Sequence, residues 1–148
     1  MTEPTLNPAE IEDFRCLAGI IIPPSATYGV PGADDETIFA EILRSIGRDG
    51  DYVRAALARL RELAGRSFAE LAPARRAEVA GQLRSERAGG VAVLTRIVLL
   101  CYYRDDRVMV SLGMEPRPPF PKGHVVEQGD WSLLDPVRAR APFWRPVQ

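Results

Sequence analysis

The side chains able to do chemistry are few, and their spacing builds no obvious site. The single histidine, His124, lies in the loop Pro121-Lys122-Gly123-His124, with Glu127 and Asp130 as the nearest acids in sequence. One imidazole cannot make a metal centre alone, and no HExxH, CxxC, GxGxxG or Walker spacing occurs. The carboxylate pairs Asp34-Asp35 and Asp105-Asp106 are adjacent in sequence, so their side chains point apart, and a turn or helix cap accounts for each. Cys16 and Cys101 are widely separated within apolar segments, which reads as two buried free thiols. Tyr102-Tyr103 offers a stacking surface at the end of an apolar run, although packing at a helix end is the commoner explanation. A nucleophile with its base, a metal cluster or a cofactor loop is the usual requirement for catalysis, and none is legible. The expectation is a chain with no catalytic, cofactor-binding or metal-ligating residues of its own.

Composition narrows the alternatives. The chain has 148 residues, 46% hydrophobic and 26% charged, enough for one globular core and too little for two full domains. Lys and Arg number 19 against 20 Asp and Glu, so the net basic charge that phosphate neutralisation favours is absent. Arg75, Arg76, Arg84 and Arg87, interleaved with Glu78 and Glu86, read as a solvated, salt-bridged helix face. The apolar run Ile97 to Tyr103 falls far short of the ~20 residues that span a bilayer. Met1-Thr2-Glu3-Pro4 begins no secretory pattern, and the expected location is the cytoplasm.

The elements that would hold these residues are helices. Asn7-Pro8-Ala9-Glu10 carries a capping box with proline at the first helical position, and Ile11, Phe14, Leu17, Ala18 and Ile21 form one apolar stripe behind it. Pro23-Pro24 ends that helix, and the turn-rich segment Ser25 to Gly32 follows. Asp34 or Asp35 caps a second helix bearing Ile38, Phe39, Ile42, Leu43 and Ile46. A third runs from near Asp51 to Gly65, with Arg54, Arg59, Arg61 and Glu62 on its polar face. Ser67-Phe68-Ala69-Glu70 reads as another capping box, and Pro73 restarts a fourth helix that ends near Glu86. Gly89-Gly90 separates it from a fifth, Val91 to Tyr103, apolar on nearly every face. Its β-branched residues make a strand the competing assignment, but no second strand-like run exists to pair with it.

From Gly113 the character changes. Seven of the 13 prolines fall in the last 36 residues, together with both tryptophans. Proline-rich chain builds no compact core by itself, whereas disordered segments lack large aromatics. The expected organisation is an all-α bundle of about five helices over residues 1–112 and an extended arm over 113–148. The arm anchors through aromatics either on its own bundle or on a second chain. Candidate interface residues are Tyr102, Tyr103, Pro119, Phe120, His124, Trp131, Phe143 and Trp144.

Three stretches carry a resemblance to a known family. They are Phe14 to Pro23 with the loop Val30-Pro31-Gly32-Ala33, then Arg66-Ser67-Phe68-Ala69-Glu70-Leu71, then Tyr102-Tyr103 followed by Leu112-Gly113 and the proline-rich tail. In order and spacing the chain resembles the gluconate 2-dehydrogenase subunit 3 family, the small subunits of flavoprotein complexes. The resemblance implies a helical, non-catalytic accessory subunit that binds and stabilises a large FAD-dependent subunit of the glucose-methanol-choline (GMC) type. FAD and the catalytic residues would belong to that partner. Many family members begin with a twin-arginine export signal that this chain does not show, so the expectation is a cytoplasmic complex, or a periplasmic one if a leader has been trimmed. The alternative is a self-contained helical binding or regulatory domain with no flavoprotein partner.

Overall fold

A computed structural model describes residues 6–86, 88–116, 127–141 and 144. The fold is all-α: among the described residues there are seven α-helices, three short 3-10 turns and no strand, only an isolated antiparallel bridge between Ser25 and Val30. The chain divides into two compact units, Met1–Pro116 and Arg117–Gln148.

The first unit holds six of the helices. Helix α1, Pro8–Ile21, starts with the expected reciprocal cap: Glu10 N–H donates to Asn7 Oδ1 at 2.9 Å and Asn7 N–H donates to Glu10 Oε2 at 2.8 Å. Helix α2, Glu36–Arg44, is capped by Asp35, whose carboxylate accepts from Thr37 N and Ile38 N. Helix α3, Gly50–Ala64, follows a 3-10 turn at Gly47–Asp49 and ends at Gly65, where φ is 72°. That left-handed conformation costs glycine little and other residues more, so the stop is written into the sequence. Helices α4, Pro73–Ser85, and α5, Gly89–Tyr102, complete the bundle.

Helix α3 is the axis of this unit, packing most heavily on α5 and α4 and also on α1. Its buried residues Val53, Ala56, Leu57 and Leu60 repeat at three and four positions, and α5 answers with Leu94, Ile97, Val98 and Cys101 at the same spacing. Helix α1 contributes Phe14, Leu17 and Ala18, and the Phe14 ring meets Phe39 of α2 edge-on at 5.5 Å. Gly90 permits the α3–α5 approach, because a Cβ there would stand 2.6 Å from the carbonyl oxygen of Tyr52. Both cysteines are free thiols, Cys101 buried and Cys16 half-buried.

Several expectations need correction. Helix α6, Asp106–Ser111, is a sixth element of the first unit; Asp105 caps it, and Gly113 at φ 73° closes it with bonds from Gly113 N to Val110 O and from Met114 N to Met109 O. Six residues are too few for a periodic pattern, which is why five helices were expected. Gly89 and Gly90 lie inside the first turn of α5 rather than before it. Ser67 does not cap: Phe68–Glu70 is a 3-10 turn and Glu70 pairs with Arg66. The arginine face of α4 is only partly a solvated ladder. Arg75 pairs with Glu78, but Arg76 is half-buried against Cys16, and Arg87 lies outside the described residues.

In the second unit, residues 131–138 are not extended. Trp131–Leu134 forms a 3-10 turn and Asp135–Arg138 a short helix, α7. Asp130 starts this segment by accepting from Ser132 N and Ser132 Oγ, and Pro136 supplies a helix-ready φ at the first turn.

Candidate functional site

The residues singled out from the sequence fall into three groups. Pro119, Phe120, His124 and Phe143 lie outside the described residues. Trp131 and Trp144, in the second unit, are exposed. Tyr102 and Tyr103, in the first unit, meet edge-on at 5.3 Å yet face opposite ways. Tyr102 is 4% exposed and Tyr103 53%. The hydroxyl of Tyr102 donates to the carbonyl oxygen of Pro31 at 3.1 Å, and burial pushes its pKa above the ordinary phenol value. Tyr102 is thus a tie between the end of α5 and the loop after α1.

Large apolar side chains near Tyr103 in sequence are exposed to water. Leu99 and Leu100 in the last turn of α5 and Tyr103, its C-cap, are all exposed. Val110, Leu112 and Met114 follow along α6 and its closing turn, each more than half exposed. Six large apolar side chains facing water within one stretch of sequence, Leu99–Met114, exceed the scattered singles of an ordinary surface. A second apolar feature is a groove of about 360 Å³ between α1, α4 and α5, walled by Ile20, Ile21, Ala80, Gly81, Val91 and Leu94.

Polar contacts hold the frame beneath these surfaces. Asp13 of α1 is 1% exposed and accepts three hydrogen bonds: from Arg61 Nη2 at 2.8 Å, Ser67 Oγ at 2.8 Å and Ala69 N at 3.0 Å. One carboxylate therefore fastens α1 to the end of α3 and to the 3-10 turn that drives Phe68 into the core. Arg107 of α6 reaches Asp35 at 2.7 Å and Asp105 at 2.9 Å, so a single guanidinium joins the caps of α2 and α6. That guanidinium holds both carboxyls below the usual aspartate range. Arg59 clamps Glu86 through three hydrogen bonds, tying the end of α4 to α3.

Sequence reading missed Asp13, Arg61 and Arg107 as organisers. A signal existed for the first. Asp13 sits beside Phe14, Leu17 and Ala18 on the inward face of α1, where an acid needs a partner. Among the described residues no three His, Cys, Asp or Glu side chains cluster as metal ligands, and no helix is long and apolar enough to cross a membrane. The described residues combine exposed apolar side chains with a bundle braced by polar ties. Comparison of the chain with protein-family models, curated proteins and solved structures finds no match in any of the three.

Proposed function

We propose that this chain is a non-catalytic small subunit of the gluconate 2-dehydrogenase subunit 3 kind, which binds and stabilises a large FAD-dependent, GMC-type dehydrogenase or oxidase of sugars or alcohols. The observation that carries the reading is the set of exposed large apolar side chains Leu99, Leu100, Tyr103, Val110, Leu112 and Met114, gathered in one short stretch of sequence. An unburied surface of this kind is a docking surface in search of a partner. Polar groups in the stretches that resemble the family are spent on contacts within the bundle. Ser67 and Ala69 donate to Asp13 on α1, beside Phe14, and Tyr102 donates to Pro31. Contacts of this kind support a scaffolding role.

In this reading the flavin and its redox chemistry belong wholly to the partner, in the cytoplasm, or in the periplasm if the chain is a trimmed export form. The contribution made here is burial. A standard interface removes roughly 1,600 Å² of surface from water. Binding only the native partner stabilises it by about 4 kcal/mol at a thousandfold excess over Kd. That is a large share of the ~5–15 kcal/mol that holds a typical domain folded.

One observation favours the alternative of a self-contained binding domain: the first unit has a core cluster of its own, from Leu6 to Val108. The test is to place charges on the face without touching that core. Leu100→Asp with Tyr103→Asp should leave the far-ultraviolet circular dichroism unchanged and abolish co-purification with a co-expressed flavoprotein subunit. Undiminished co-purification would remove this face from the account.

A further inference from the structure

Arginines in this chain are mostly paired with carboxylates, and two half-buried ones are not. Among the described residues, Arg15, Arg48, Arg76, Arg84, Arg104 and Arg140 make no ion pair; four of these are exposed, while Arg15 and Arg76 are half-buried. Both line the same cleft, a space of about 360 Å³ beside α1, whose walls also include Glu12, Cys16, Gly19 and Asp34.

Each guanidinium is held in place by something other than a carboxylate. Arg15 Nε donates to the backbone oxygen of Asp34 at 2.9 Å, and its guanidinium carbon lies 5.9 Å from the centre of the Phe39 ring. These contacts orient the fork and leave its terminal amines uncommitted. Arg76 Nη1 donates to Cys16 Sγ at 3.5 Å, and its Nε is shut off from solvent with no acceptor. A thiol is a weak acceptor, so a guanidinium amine that has only a thiol keeps its donor capacity for a stronger partner. The buried Nε is out of a ligand's reach, but the terminal amines of Arg76 have no carboxylate partner among the described residues.

We propose that this cleft is a carboxylate-binding site in which the terminal amines of Arg15 and Arg76 together hold one carboxylate of a ligand. The planar guanidinium fork matches a planar carboxylate, which gives geometric as well as electrostatic selection. Glu12 and Asp34 on the same walls offset the two positive charges. A monoanion therefore leaves the site one charge negative, whereas a phosphate dianion meets further repulsion, and the cleft selects carboxylate over phosphate. Asp34 lies hard against α1: a Cβ on Gly19 would stand 2.8 Å from its carboxyl carbon, so glycine there keeps the wall in place. The Cys16 thiol, which burial pushes above its usual pKa, is neutral near pH 7 and does not repel an anion. A free organic acid and an acidic side chain of another protein present the same group. The site is independent of any flavoprotein partner.

Cys16 supplies the readout, because the charge of Arg76 opposes the effect of burial on its thiol. A bound carboxylate takes up that charge and covers the sulfur, so alkylation by iodoacetamide slows. The full-length chain is treated at pH 8.5 and Cys16 followed by peptide mass spectrometry, with buried Cys101 as internal reference. Sodium acetate should slow Cys16 saturably by about threefold or more, since only the thiolate reacts. Sodium chloride at equal ionic strength should not, and inorganic phosphate should act less than acetate. Arg76→Gln and Arg15→Gln should lose the acetate effect, and exposed Arg48→Gln should keep it. If Arg76→Gln fails to fold, Arg76→Lys retains the charge without the fork and should weaken acetate by about tenfold. A glycine-flanked glutamate peptide acting at much lower concentration than acetate assigns the ligand to a protein side chain, and equal potency assigns it to a free acid; both uphold the site. Equal slowing by acetate and chloride, or an acetate effect that survives both Arg76 substitutions, overturns it.

Discussion

Replacing Asp13 by alanine removes the acceptor shared by Arg61, Ser67 and Ala69, and the cost follows from what each donor can do next. Arg61 has a side chain 40% exposed and can turn to water, so its loss contributes little. The Ser67 hydroxyl can rotate but stays in a part-buried setting. The Ala69 N–H is fixed by the backbone, and leaving it unpaired costs roughly 1–3 kcal/mol. Together with the strain on the 3-10 turn that seats Phe68, the destabilisation should be about 3 kcal/mol, within the range for breaking a buried charged network. In a domain of this size that lowers Tm by about 6–12 °C. The assay is urea unfolding followed by circular dichroism, with Arg61→Ala alongside. Arg61→Ala leaves the buried Asp13 carboxylate with two neutral donors and no cation, and should cost about 1–3 kcal/mol. A loss below about 1 kcal/mol for Asp13→Ala would refute the claim that Asp13 is the organising group.

Two glycines should respond with opposite sign. Gly90→Ala forces a Cβ against the Tyr52 carbonyl oxygen and should destabilise by about 1–2 kcal/mol, whereas Gly81→Ala meets nothing within 4 Å and should stabilise by about 0.5–1 kcal/mol in thermal unfolding. Tyr102→Phe loses the bond to Pro31 and should cost about 0.5–1.5 kcal/mol, while Tyr103→Phe, at an exposed ring, should change stability by a few tenths at most. Asp35 and Asp105 have folded-state pKa values lowered from 3.8 chiefly by Arg107. Their contribution is therefore present above the unfolded value and lost as pH falls through the folded ones, because the unfolded chain binds more protons in that window. Arg107→Gln should lower stability by a constant amount above about pH 5, with the gap to the parent closing as pH drops below 3.8 in acid-unfolding curves.

Legibility in the sequence followed the physics of each element. Helices α1 to α5 were readable because caps and three-four spacing act locally: Asn7 with Glu10, proline at the head of α4, and Gly65 past the end of α3 each announce themselves. Helix α6 was not, since six residues carry no period and its cap, Asp105, is equally good turn chemistry. Ser67 misled for a related reason. The Ser-x-x-Glu spacing is a local signal, but a buried carboxylate more than fifty residues earlier competes for the hydroxyl and wins. The division of Tyr102 and Tyr103 into an inward tie and an outward ring depends on where the Pro31 loop folds, which the adjacent pair in sequence cannot express. Arg76 read as one of several arginines on a solvated face; only the packing of α4 beside Cys16 separates it from Arg75.

The most direct test of the central claim is a tagged pull-down from the native host, with an absorbance spectrum of the eluate and mass identification of every band. The account predicts a second, larger chain at a fixed ratio, with a flavin spectrum that stays with that chain when the two are separated. A colourless, stably folded monomer, or flavin retained by this chain alone, would contradict it.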